Sequence, residues 1–215
     1  MAIWSKKTFQ SQINSEIPLS TPLDQINLLV VDTETTGFAV GKDDRLIEVG
    51  AVPICNLQVK EKEIFQSYVN PCRDIPEEIT SLTSIRNEQV VHAPNALEAI
   101  EELFAFGRQF GANGLAGHYI SFDLLVLKHE LRRADFKFPP PAAIDTLDLL
   151  AFLVPTWEMK DLAYYASVFE TRMYERHSAT GDALTAAYLL CELFQRAKER
   201  GRTTWGDVLE LSSLR

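Results

Sequence analysis

Asp32 and Glu34 stand one residue apart at the end of the apolar run Leu28-Leu29-Val30-Val31. Successive side chains of a strand alternate faces, so these two carboxylates share one face, with Cα atoms roughly 6–7 Å apart. Two acids crowded at the end of a buried strand repel each other, and a hard divalent cation bridging their oxygens is one relief. The other reading is a strand that runs into a polar turn at Thr35-Thr36-Gly37.

Asp123 follows His118-Tyr119-Ile120-Ser121-Phe122 and precedes Leu124, Leu125, Val126 and Leu127. A carboxylate in that apolar setting is costly unless it is paired or metal-bound. Alternatively it is an ordinary first-turn acid of a helix capped by Ser121 and favoured by the helix dipole. Asp182 closes the segment Arg176-His177-Ser178-Ala179-Thr180-Gly181-Asp182. Read alone, Asp182 caps a helix and His177 is a surface imidazole; read together, a loop histidine can swing over a site anchored by the acid.

The elements that must position these side chains follow from pattern. Residues 1–26 lack periodicity and form an extension, packed on the domain or mobile. Asp44–Asn56 and Ile64–Asn70 are apolar-rich and bounded by charged turns, which predicts two strands in a meander with the first. Pro71 and Pro76 mark a loop. Leu97, Ile100, Leu103 and Phe104 recur with helical spacing after Pro94, and Gly111 and Gly114 end that helix.

Leu115–Gly117 predicts a short strand, and the run through Leu131 a helix buried nearly all round. After Pro139-Pro140-Pro141, Ala142–Asp145 forms another strand, with Asp145 capping the helix Thr146–Leu153. Ala183, Ala186, Ala187, Leu190, Cys191 and Phe194 define the last long helix, from Asp182 to Lys198. The order predicts an α/β protein with a mixed sheet, in which ligands bind beyond the carboxyl ends of central strands.

Composition narrows the class. With 215 residues, 46% of them hydrophobic, the chain supports one sizeable core. No apolar stretch approaches the roughly 18 residues of a membrane span, and no signal-peptide block precedes Pro18, so a soluble cytoplasmic protein is expected. Three well-separated cysteines, Cys55, Cys72 and Cys191, offer no zinc or dithiol spacing. A net charge of −9 argues against a wide non-specific grip on nucleic acid phosphates. It leaves room for an enzyme that engages only a strand end, because bound divalent cations reverse the sign of an acidic pocket.

Three segments together resemble the exonuclease motifs of the DEDD superfamily: Asp-x-Glu-Thr-Thr-Gly at 32–37, His-x-x-x-Phe-Asp at 118–123 and Arg-His-x-x-x-Gly-Asp-Ala at 176–183. The histidine five residues before the last acid matches the DEDDh (DnaQ-like) branch, which includes the proofreading epsilon subunit of bacterial DNA polymerase III. The resemblance covers residues 24 to 198.

It implies an RNase H-like α/β fold with a mixed five-stranded sheet flanked by helices. Residues 1–26 are then an N-terminal extension, 27–200 the exonuclease domain and 201–215 a C-terminal tail. It further implies 3′-to-5′ hydrolysis of nucleic acid to nucleoside monophosphates. Asp32, Glu34, Asp123 and Asp182 would hold two Mg²⁺ or Mn²⁺ ions, and His177 would act as general base. A pair of cations about 3.5–4 Å apart can stabilise both the attacking and the leaving oxygen of a phosphoryl displacement. A neutral imidazole is a base suited to neutral pH.

The implied partners are a single-stranded or frayed 3′ end, with DNA favoured, and a DNA polymerase. The rivals are an RNA 3′-end trimmer of the oligoribonuclease type, a non-catalytic polymerase-accessory module and a small-molecule phosphohydrolase. Candidate substrate contacts are Thr33, Leu82, Thr83 and His118. Lys128, Arg132, Arg133, Arg172 and Arg176 are either phosphate ligands or solvated charges, and His92 and His129 are structural or exposed. The chain departs from the family at Tyr119, where Asn is usual, and at Ser84, where Gly is common.

Overall fold

Aliphatic residues dominate 27–35 and 46–55, and in the computed structural model, which describes residues 6–154 and 160–212, these segments are the two longest strands. In chain order the elements are β1 (Lys7–Thr8), β2 (Asn27–Thr35), β3 (Leu46–Cys55), β4 (Gln58–Val59), β5 (Phe65–Tyr68), α1 (Glu77–Thr83), α2 (Asn87–Val90) and α3 (Ala96–Gln109). There follow β6 (Gly114–Gly117), α4 (Ile120–Arg133), β7 (Phe136–Lys137), β8 (Ala143–Asp145), α5 (Thr146–Leu153), α6 (Leu162–Val168), α7 (Ala179–Glu199) and α8 (Trp205–Ser212).

The main sheet runs β4-β3-β2-β6-β8, with β5 also paired to β3. β3 is antiparallel to β2, whereas β6 and β8 continue the sheet in parallel, so the sheet is mixed as expected. The five expected strands are present, and the two-residue β4 joins them beside β3.

Alternation along β2 divides the core into two layers. Leu28 and Val30, with Val52 and Ile54 of β3, pack against Leu150 of α5, Leu190 of α7 and Trp205 of α8. Leu29 and Val31, with Val49 and Ala51, pack against Ile100, Leu103 and Phe104 of α3 and Val126 and Leu127 of α4. Full burial of one such aliphatic side chain contributes about 1.5–3 kcal/mol, so both layers hold β2 firmly. The carboxyl end of β2 thereby lies where helices of opposite layers can reach it.

Several local expectations are corrected. Ser121 does not cap α4: the helix starts at Ile120, and its N-cap is Tyr119 in the left-handed region at φ +60°. The backbone N–H of Tyr119 instead donates to Asp145 Oδ1 at 2.9 Å. α4 is amphipathic and not buried all round, since Leu125 is exposed. The stretch opened by Pro71 and Pro76 contains two short helices, α1 and α2.

Of the expected extension, residues 6–26 lie against the domain: β1 pairs in parallel with β7, and Phe9, Leu23 and Ile26 are buried. In α8, Trp205 and Val208 are buried against the α5 and α7 layer. Among the described residues no helix is long and apolar enough to cross a membrane.

Candidate active site

Asp32 and Glu34 sit on the α7 side of β2, and Asp182 rises from the first turn of α7 to meet them. One carboxylate oxygen from each of the three lies within 4.8 Å of the other two. Asp123 reaches the same strand end from α4, on the other layer, and is buried; its Oδ1 accepts a hydrogen bond from Thr33 Oγ1 at 2.7 Å. Thr33 points away from Asp32 and Glu34 by strand alternation, and that is the side from which α4 approaches.

Burial and mutual repulsion govern the electrostatics. Burial pushes Glu34 up to about 8, with the charges of Asp182, Glu48 and Asp123 adding to it. Burial likewise raises Asp123 to about 7, against the pull of the Thr33 hydrogen bond. Asp32 is raised well above the usual carboxylate range by burial and then by Asp123, Asp182 and Glu34, and Asp182 is raised by burial. Arg176 is the counterweight: it forms an ion pair with Asp182 Oδ1 and its charge favours the ionised forms of Asp32 and Glu34.

These residues fit a pair of hard divalent cations. The donors are all oxygen, three converge and the fourth adjoins, and burial, with mutual repulsion at Asp32 and Glu34, drives the carboxyls toward protonation.

His177 is on the loop before α7, at φ +60°, and its backbone N–H donates to Asp182 Oδ2 at 3.1 Å. The loop can fold this closely over the helix because residue 181 is glycine: a Cβ there would lie 1.9 Å from the carbonyl oxygen of Glu175. Expected base and expected metal-holding acid are thus tied to each other by the backbone.

The remaining candidates are less uniform. His118 Nδ1 is 2.7 Å from Thr146 Oγ1, and burial, then Arg176, push its pKa down to about 4, so the ring is neutral at physiological pH. Leu82 is exposed on α1, whereas Thr83 is buried and donates its hydroxyl to Ile79 O at 2.9 Å. Thr33 spends its hydroxyl on Asp123, and its backbone also hydrogen-bonds that carboxyl. Asp145 caps α5 through Leu147 N at 3.0 Å, as expected.

Arg172 pairs with Glu61, Arg133 with buried Glu130, and Lys128 is exposed. Sequence reasoning passed over Phe38, which is 86% exposed beside Phe122, with ring centroids 5.8 Å apart. It also passed over Glu48. The available signals were an aromatic directly after the Asp-x-Glu-Thr-Thr-Gly turn and a lone acid inside an apolar strand.

The exonuclease family profile (RNase T type) matches residues 29–190. The chain belongs to the exonuclease family.

It is similar to the 3′-5′ exonuclease DinG of Bacillus subtilis strain 168, with 32% identity across 88% of this chain and 20% of DinG. It is also similar to a DNA polymerase III subunit epsilon-like protein of Rhodobacter capsulatus, with 34% identity across 88% of this chain and 27% of that protein. The chain therefore spans only about a fifth to a quarter of the length of these curated relatives. Among solved structures, exonuclease X in complex with 5′-overhanging duplex DNA superposes with a TM-score of 0.66 at 19% identity, covering 86% of this chain and 99% of that one. That likeness shows the RNase H-like fold.

Proposed function

We propose that this chain is a 3′-to-5′ exonuclease dependent on two Mg²⁺ or Mn²⁺ ions, releasing nucleoside monophosphates from single-stranded or frayed DNA ends. The observation that carries the reading is the convergence of Asp32, Glu34 and Asp182 oxygens within 4.8 Å, with His177 bound through its backbone to Asp182.

In this reading Asp32, Glu34, Asp123 and Asp182 hold the cations, with the exonuclease domain spanning 27–200. The ions supply Lewis-acid stabilisation of charge on the phosphoryl oxygens. The chain's own residues do the rest. His177, on the loop before α7, accepts the proton of the attacking water. Thr33 fixes the Asp123 carboxylate by its hydroxyl. Leu82, Thr83, Thr33 and His118 line the approach to the terminal nucleotide, and neutral His118 meets it through its ring or its free nitrogen. Arg176, paired with Asp182 in the metal-free chain, would be available to a phosphate were that carboxylate to hold a cation.

The name of the DNA polymerase III subunit epsilon-like relative supports a DNA role, including work beside a polymerase. Degradation of matched DNA and RNA oligonucleotides, side by side with Mg²⁺ or Mn²⁺, tests the choice. Faster loss of the DNA strand is expected, and preferential loss of RNA would assign the chain to RNA 3′-end trimming.

A further inference from the structure

β3 carries a buried carboxylate that the chemistry above leaves unused. Glu48 is 2% exposed and stands directly opposite Glu34 in the antiparallel register. A carboxyl buried across a strand pair from another needs hydrogen-bond partners of its own. Glu48 holds the start of α7. Its Oε2 accepts the backbone N–H of Ala179, the first residue of the helix, at 2.9 Å. Its Oε1 accepts from Gln66 Nε2 of β5 at 2.6 Å, which fixes the carboxylate. Ser178, the N-cap residue, makes no side-chain cap bond, and the remote acid satisfies the first of the N–H groups left without a partner inside the helix.

A second observation places the same turn on the same strand. Two residues beyond Glu48, on the same face, a Cβ at Gly50 would lie 2.4 Å from the carbonyl carbon of Ala179 and 2.5 Å from Thr180 N. The first turn of α7 is therefore seated on β3 by close backbone approach and by the Glu48 hydrogen bond. That turn begins two residues after His177 and contains Asp182.

We propose that Glu48 is a positioning residue: through the Ala179 N–H it fixes the first turn of α7, and so sets His177 and Asp182 against Asp32 and Glu34. The catalytic consequence rests on the exonuclease reading above. The anchor acts as a hydrogen-bond acceptor, so Glu48→Gln, which keeps an acceptor oxygen, retains it, and Glu48→Ala does not.

The test pairs steady-state kinetics on a 5′-labelled oligonucleotide with amide hydrogen exchange of the metal-free protein. Glu48→Ala is expected to lower kcat on the order of 10–100-fold with KM within about twofold, the effect of a small misplacement of reacting groups. Its amides at 178–182 exchange faster than in wild type. Glu48→Gln stays within about threefold of wild-type kcat with normal exchange, because the acceptor is preserved. Gln66→Ala, a change at an exposed side chain, loosens the carboxylate and lowers kcat by about two- to fivefold; it decides the matter should Glu48→Ala fail to fold.

A lowered melting temperature with wild-type kcat in folded Glu48→Ala would overturn the proposal. So would equal impairment of Glu48→Gln and Glu48→Ala, which would mark charge and not anchoring as the cause. Should wild-type protein prove inactive, the exonuclease reading falls and exchange alone decides: protection lost only in Glu48→Ala supports the anchor, and unchanged protection overturns it.

Discussion

Thr33 Oγ1 donates to Asp123 Oδ1 at 2.7 Å, joining the strand of Asp32 and Glu34 to the helix of the opposite layer. Each side chain is buried, so neither is satisfied by bulk water. Thr33→Val keeps the shape and removes the donor, leaving a buried carboxylate short of a partner at a cost of about 1–3 kcal/mol. Urea denaturation of the metal-free protein should show that loss, Thr33→Ser should restore most of it, and kcat should fall in Thr33→Val alone. Wild-type stability and rate in Thr33→Val would remove Thr33 from the site.

His177→Ala should lower kcat roughly 10²–10⁴-fold, the usual contribution of a general base. The variant keeps its backbone N–H, so the bond to Asp182 Oδ2 persists and cation binding, followed by calorimetry, should change little. Combining His177→Ala with Asp182→Ala should cost far less than the product of the two single losses, because both residues serve one unit. Unchanged turnover in His177→Ala would contradict the assignment.

Metal-free stability should depend on pH in an unusual direction. Glu34 is raised from an ordinary 4.5 to about 8 and Asp123 from 3.8 to about 7, chiefly by burial. Acids raised on folding bind protons more tightly in the folded state than in the unfolded one. Their contribution is therefore complete below the unfolded values and is lost as pH rises through the folded values. Thermal melts in chelator should show stability falling between pH 4.5 and about 8. Added Mg²⁺ should flatten the trend, since it binds the deprotonated carboxylates. Stability that climbs with pH across this window in chelator would refute the electrostatic description of the site.

Ser84 has φ +62° at the C-terminus of α1, in the left-handed region that costs a side-chain-bearing residue about 1–2 kcal/mol. Ser84→Gly should raise stability by about 0.5–1 kcal/mol, the relief less the added freedom of the unfolded chain. Chemical denaturation measures it, and a destabilised variant would show that the Ser84 side chain holds the turn in another way.

Period-two and helical apolar patterns made β2, β3, β5, β6, β8, α3, α5 and α7 readable, because each buries a continuous face. Strand alternation made the shared face of Asp32 and Glu34 readable, whereas Asp123, His177 and Asp182, each with an ordinary helix-start or surface role when read alone, joined them through the resemblance of three motifs. What escaped was set by contacts far apart in sequence. Tyr119 caps α4 through Asp145, 26 positions away, which no local capping rule foresees.

Glu48 escaped because its partner, the backbone N–H of Ala179, lies 131 positions on. β1 and β7 are two residues each and exist only by pairing with one another. The two family departures, Tyr119 and Ser84, both fall on left-handed backbone, where Asn and Gly are more easily accommodated. That reason becomes visible only once φ is known.

The most direct test is time-resolved digestion of a 5′-labelled single-stranded oligonucleotide by wild-type protein with Mg²⁺, with parallel reactions in chelator and with Asp182→Ala. The expected result is a ladder shortening from the 3′ end with release of nucleoside monophosphates, abolished by chelator and by Asp182→Ala. An intact oligonucleotide with folded protein and either cation, or digestion that survives loss of Asp182, would contradict a cation-dependent exonuclease built on these four carboxylates.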